Sequence, residues 1–65
     1  MQIDLNGTPV VTRATTLAAL ITEQGFDAAS VATALDGQFV PRPARAATSL
    51  HPGARIEVLA PMQGG

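Results

Sequence analysis

The residues best placed by type and position to do chemistry are the last two, Gly64-Gly65, which close the stretch Met62-Gln63-Gly64-Gly65 after Pro61. Inside a loop a glycine pair is ordinarily a turn. Taken as the C-terminus, the pair makes the terminal carboxylate of Gly65 the one distinctive functional group on offer. Glycine has no Cβ, so a tail ending this way is expected to be flexible and slim. Four extended residues reach roughly 13 Å at about 3.3 Å each, enough to thread a narrow channel in another protein. In this reading Met62, Gln63 and Gly64 do the threading and Gly65 presents the carboxylate. The plainer alternative is a cloning scar or a frayed end. A scar usually carries tag or protease-site residues beside it, and Met62-Gln63 resembles neither.

Other candidates for chemistry fall away on inspection. The acids Asp4, Glu23, Asp27, Asp36 and Glu57 are spread over the chain, and no two are spaced as an acid/base pair. Asp36 reads as a turn residue and Asp27 as a cap or loop residue. His51 precedes Pro52 in a turn; a lone loop histidine is ordinarily solvated, and no second His and no Cys exists to share a metal with it. Ser30 and Ser49 have no His and Asp nearby to complete a hydrolytic triad. The glycines punctuate turns, and none forms a phosphate cradle between a strand and a helix. The chain is therefore expected not to be an enzyme, and by elimination the tail is the site.

Composition narrows the class further. Sixty-five residues make one domain, near the lower limit for a core without staples. With no cysteine there are no disulfides, no thiolate metal site and no side-chain persulfide. Four dispersed arginines and a net charge of −1 give no basic stripe for nucleic acid. No apolar run approaches the ~20 residues of a membrane span. Met1 leads directly into a strand pattern without a signal-peptide pattern, so a cytoplasmic location is expected. Lysine is absent, which leaves the N-terminus as the only primary amine. Drift towards Arg and Ala explains this as well as any advantage in removing amines that would attack an activated C-terminus.

The elements that must carry the tail are legible from pattern. Residues 1–6 alternate, with Met1, Ile3 and Leu5 on one face and Gln2, Asp4 and Asn6 on the other, as a half-buried strand does. Asn6-Gly7 is a hairpin signal, since both residues tolerate the positive φ of a type I′ turn. Val10-Val11-Thr12 continues as a second strand, and Pro9, lacking an N–H, puts it at an edge. Thr15 or Thr16 caps a helix whose stripe is Leu17, Leu20 and Ile21, with Gly25 just past its end and Phe26 plugging the exit. Residues 31–35 read as a third strand, Asp36-Gly37 as a second hairpin, and Phe39-Val40 as its return. Residues 44–50 read as a connector with room for a helical turn. The last strand, 55–60, points Ile56, Val58 and Ala60 inward and Arg55, Glu57 and Leu59 outward. Leu59, apolar and just before the tail, is a candidate for partner docking.

Two hairpins flanking one helix pack most economically as an α+β domain, with the helix across one face of a single mixed sheet. The first and last strands then lie parallel and adjacent at the centre. This is the β-grasp, or ubiquitin-like, fold, expected over residues 1–61, with 62–65 as the tail.

Over its whole length the chain resembles the sulfur carrier proteins of thiamine biosynthesis, the ThiS family. The resemblance lies in the opening Met1-Gln2-Ile3-Asp4-Leu5-Asn6-Gly7, the helix start Thr16-Leu17, the 31–37 stretch ending Leu35-Asp36-Gly37, Phe39-Val40-Pro41-Arg42, residues 53–58, and Gly64-Gly65. It implies that a ThiF-like adenylating enzyme uses ATP to form an acyl-adenylate on Gly65. Sulfur from a persulfide donor then displaces AMP to leave a thiocarboxylate, and a ThiG-like thiazole synthase takes up that sulfur. No cofactor or metal bound by the chain itself is implied, and no nucleic-acid or membrane partner. Family members often carry an aromatic near position 45 and an Asp after the turn glycine; here Arg45 and Ala54 stand there, departures expected to alter the partner surface. The small subunit of molybdopterin synthase shares fold, tail and chemistry but tends to be longer. A ubiquitin-like modifier joined to lysines and a plain interaction module are the remaining alternatives.

Overall fold

Short runs of alternating residues between glycine turns dictate strands, and the turns dictate how those strands meet. The computed structural model describes residues 1–61. Asn6 and Gly7 take φ of +51° and +83°, and Asp36 and Gly37 take +50° and +85°. Both pairs are two-residue loops of the type I′ kind, whose twist matches that of the strands they join. They connect β1 (Gln2–Leu5) to β2 (Thr8–Val11) and β3 (Ala32–Leu35) to β4 (Gln38–Val40). The last strand, β5 (Arg55–Leu59), lies between the hairpins in a five-stranded sheet of order β2-β1-β5-β3-β4. It runs parallel to β1 and antiparallel to β3. The mixed sheet and its single helix form the expected β-grasp. Pro9 sits in edge strand β2, where its missing N–H costs the sheet least.

The helix α1 (Leu17–Glu23) is only two turns long and depends on its ends and on packing. Thr16 caps it, its Oγ1 accepting from the Ala19 N–H at 3.2 Å. At the other end Gly25, at φ +79°, turns the chain out. The Gly25 N–H donates to the Thr22 carbonyl and the Phe26 N–H to the Ile21 carbonyl, both at 3.1 Å. This is the Schellman arrangement, and Phe26 packs against the core as such a motif favours. Leu17, Leu20 and Ile21 are fully buried against Ile3, Ile56 and Val58. Each such side chain contributes about 1.5–3 kcal/mol relative to exposure.

Four details differ from the sequence reading. Ala60 is exposed and lies past the end of β5, because Leu59 is the last residue paired with β3 (opposite Ala32). β3 begins at Ala32, one residue later than the pattern suggested, since the Val31 carbonyl is taken by Arg45. The helical turn for which the connector had room is there, but as a 3-10 helix, Arg42–Ala47, that starts two residues before the expected connector, with Pro43 near its start. Arg45 and Ala54, expected at a partner surface, are both buried, at 3% and 0% exposure.

Candidate functional site

Site geometry begins with the strand that leads to residue 61. β5 is the central strand and is held on both sides. Towards β3 the ladder runs to its last residue, Leu59. Towards β1 it is shorter, because β1 ends in the Asn6-Gly7 turn after pairing Leu5 with Ile56. The Asn6 side chain extends it. The Val58 N–H donates to Asn6 Oδ1 at 2.8 Å, and Asn6 Nδ2 donates to the Val58 carbonyl at 3.2 Å. A carboxamide offers one acceptor and donor groups, as a peptide unit does, so Asn6 stands in for the missing strand residue.

Leu59 is 68% exposed on the sheet face away from the helix, where the alternation placed it. The register adds a neighbour that the sequence reading did not bring to it. Ala34 lies opposite both Phe39 and Glu57, and Ala32 lies opposite Leu59. Phe39 is 70% exposed. Phe39 and Leu59 thus border a shallow apolar recess floored by Ala32 and Ala34, with Glu57 beside it. The two-residue turn at Asp36-Gly37 fixes the pairing of Phe39 with Ala34, and the register of β3 on β5 then brings Leu59 to the same recess. A second recess lies around the chain's exit, with residues 29–32 on one wall and Leu59, Ala60 and Pro61 on the other. Met62, Gln63, Gly64 and Gly65, the expected reactive tail, lie outside the described residues.

The titratable groups gather elsewhere. His51 is not simply solvated: its Nε2 lies 2.6 Å from Asp36 Oδ2, and its Nδ1 lies 3.0 Å from the Pro52 carbonyl. Asp36 also accepts from the Arg55 N–H at 2.9 Å. The hydrogen bond to Asp36, then that to the Pro52 carbonyl, raises the His51 pKa above its ordinary value. The His51 hydrogen bond, then the Arg55 N–H, lowers that of Asp36. This pair clamps the start of β5, at the opposite end of the strand from Leu59. Glu23 is lowered chiefly by the Thr12 hydroxyl, and Asp27 by the Ser30 hydroxyl and then the Ala29 N–H. Among the described residues no group of three or more His, Asp or Glu is arranged to hold a metal. Nor is any helix long and apolar enough to cross a membrane. Around the exit of β5, the two recesses are shallow and open and offer mostly apolar contact, with no imidazole lining either.

The family model described as the ThiS family matches residues 2–65. Among solved structures, the crystal structure of a thiamine biosynthesis protein (ThiS) from Geobacter metallireducens is similar at a TM-score of 0.83 and 28% identity, covering 100% of both chains. A solution NMR structure of a thiamine biosynthesis protein from the same organism has the same TM-score, 0.83, and identity, 28%, over 100% of this chain and 88% of that one. No curated protein matches the sequence.

Proposed function

The chain belongs to the ThiS family, and from that premise we propose that it is a sulfur carrier whose working group is the carboxylate of Gly65. The observation that carries the reading is the family match running through Gly65 while the central strand β5 ends at Leu59. The similar structures from thiamine biosynthesis support the thiazole branch of this chemistry.

The chemistry follows from the group. An α-carboxyl has a pKa of roughly 3.3–3.7, so near neutral pH it is an anion and a poor electrophile. A ThiF-like adenylating enzyme supplies activation: a Gly65 carboxylate oxygen attacks the α-phosphorus of ATP, and pyrophosphate leaves. The acyl-adenylate is then open to a persulfide sulfur, which bonds to the carbonyl carbon as AMP leaves. A thiol cleaves the resulting S–S bond, releasing the thiocarboxylate and forming a disulfide with the donor. A ThiG-like thiazole synthase consumes that sulfur. Gly64 gives the slim approach, and Gln63 and Met62 thread the passage with it. Leu59, together with Phe39, docks the domain on the partner. Burying two such exposed side chains is worth about 1.5–3 kcal/mol each. In this reading the chain is a co-substrate and catalysis belongs to its partners.

Mass spectrometry of the protein recovered from its native cell tests the proposal. The expected species has one oxygen of the Gly65 carboxylate replaced by sulfur. A conjugate to another protein would make it a modifier instead. A chain always recovered unmodified, from cells making thiamine, would leave a plain interaction module.

A further inference from the structure

Arg45 is the one charged residue buried among the described residues. Removing a guanidinium from water is costly unless it is paired or hydrogen-bonded. The one ion pair among the described residues joins His51 to Asp36, so no carboxylate neutralises Arg45 there. Three neutral oxygens hold it: Nη1 donates to the Ala28 carbonyl at 2.9 Å, Nη2 to the Val31 carbonyl at 2.7 Å, and Nε to Thr33 Oγ1 at 2.9 Å. Thr33 passes the contact on, donating to the Val40 carbonyl at 2.8 Å. Well-packed apolar residues often replace buried ions with no loss of stability. What the guanidinium adds is geometry, since its planar fork fixes two carbonyls of one turn at once.

That turn, residues 27–31, is also braced from within. Asp27 accepts from the Ala29 N–H and the Ser30 hydroxyl, and the Ser30 N–H donates to the Asp27 carbonyl. It leads into β3 at Ala32, which lies opposite Leu59. The turn and the exit of β5 therefore share one end of the sheet, and together they wall the recess around Pro61.

We infer that Arg45 is a positioning residue for the encounter with the adenylating partner: from inside the domain it sets the turn that walls the base of the tail. This rests on the sulfur-carrier reading. With Gly65 as the reactive residue, residues 62–65 span at most about 14 Å. A partner that receives the carboxylate has to close over the surface around Pro61, and the turn 27–31 is part of that surface. Arg45 is buried inside the domain and acts only through the backbone it holds.

The test is ATP–pyrophosphate exchange by the adenylating partner with carrier concentration varied, at a temperature where each variant gives a native NMR spectrum. Exchange with the parent chain is the control, and its absence would count against the sulfur-carrier reading rather than against Arg45. R45M is expected to raise KM about tenfold, the equivalent of 1.4 kcal/mol of binding, with kcat little changed, because the turn it displaces belongs to the docking surface and not to the reacting groups. R45K, keeping the charge and one donor group, is expected to fall between. I3V, a core substitution away from the turn, lowers stability without raising KM. Amide shifts in R45M are expected to concentrate at residues 28–33. A folded R45M with KM within twofold of the parent overturns the inference. If R45M does not fold, R45K is judged by the same criterion. If neither folds, A29W on the exposed wall replaces them, and an unchanged KM there overturns it.

Discussion

The Asn6 side chain pairs with Val58 as a strand would, accepting from its N–H at 2.8 Å and donating to its carbonyl at 3.2 Å. One residue thus closes the first hairpin, at φ +51°, and lengthens the hold on the central strand beyond the reach of β1.

Replacing Asn6 by glycine keeps the turn, since glycine accepts positive φ freely, and removes both bonds. At about 0.5–1.5 kcal/mol per bond, N6G should cost roughly 1–3 kcal/mol. For a domain this small each kcal/mol moves the melting temperature by about 4–8 °C. A calorimetric melt within a degree of the parent would show that the carboxamide contributes nothing to holding β5.

Stability should depend on pH through His51 and Asp36. The His51 pKa is raised above 6.5 in the folded chain, so its contribution is complete below 6.5 and is lost as pH rises through the folded value. The Asp36 pKa is lowered below 3.8, so its contribution is complete above 3.8 and is lost as pH falls through the folded value. Both contributions are intact between those limits, and urea unfolding should show a shallow maximum there. D36N keeps an acceptor for the Arg55 N–H and removes the charge. NMR titration of the His51 ring should then give a pKa closer to 6.5 in D36N than in the parent. An identical titration in the two proteins would contradict the pairing.

Leu59 and Phe39 are exposed, so charging them should barely affect folding; surface changes ordinarily stay within about 0.5 kcal/mol. Docking should suffer. L59D and F39D are each expected to raise the KM of the adenylating partner for the carrier by about tenfold, the equivalent of 1.4 kcal/mol. Unchanged KM in both variants, with melts like the parent's, would remove this face from the docking surface.

How far the sequence spoke for itself depended on how local the cause was. The Asn6-Gly7 and Asp36-Gly37 turns, the Leu17, Leu20 and Ile21 stripe, and the Thr16 cap are set by neighbours in sequence, and each is found where the pattern placed it. The parallel pairing of β1 with β5 followed from those parts, because one helix and two hairpins leave few packings. Arg45, His51 and the second role of Asn6 were not legible. Each is decided by a partner far along the chain: Ala28 for Arg45, Asp36 for His51, Val58 for Asn6. An arginine in an alanine-rich connector carries no local mark of burial, and a loop histidine none of a carboxylate 15 residues away. Ala60 was misplaced because alternation alone does not say where the ladder stops. Leu59 was placed outward correctly by that alternation, and its neighbour Phe39 needed the register.

The central claim is that the free carboxylate of Gly65 is the group activated. Adding one alanine after Gly65 moves the carboxylate about 3.3–3.6 Å along the chain and puts a side chain where a slim tail is required. The last residue paired in the sheet is Leu59, well before the added residue, so the melt should be unchanged. The direct measurement is ATP–pyrophosphate exchange with the adenylating enzyme, comparing the chain ending at Gly65 with the extended one. The account predicts exchange with the former and a loss of about a hundredfold or more with the latter, as expected of a misplacement beyond 1 Å. Equal exchange by the two chains would contradict it.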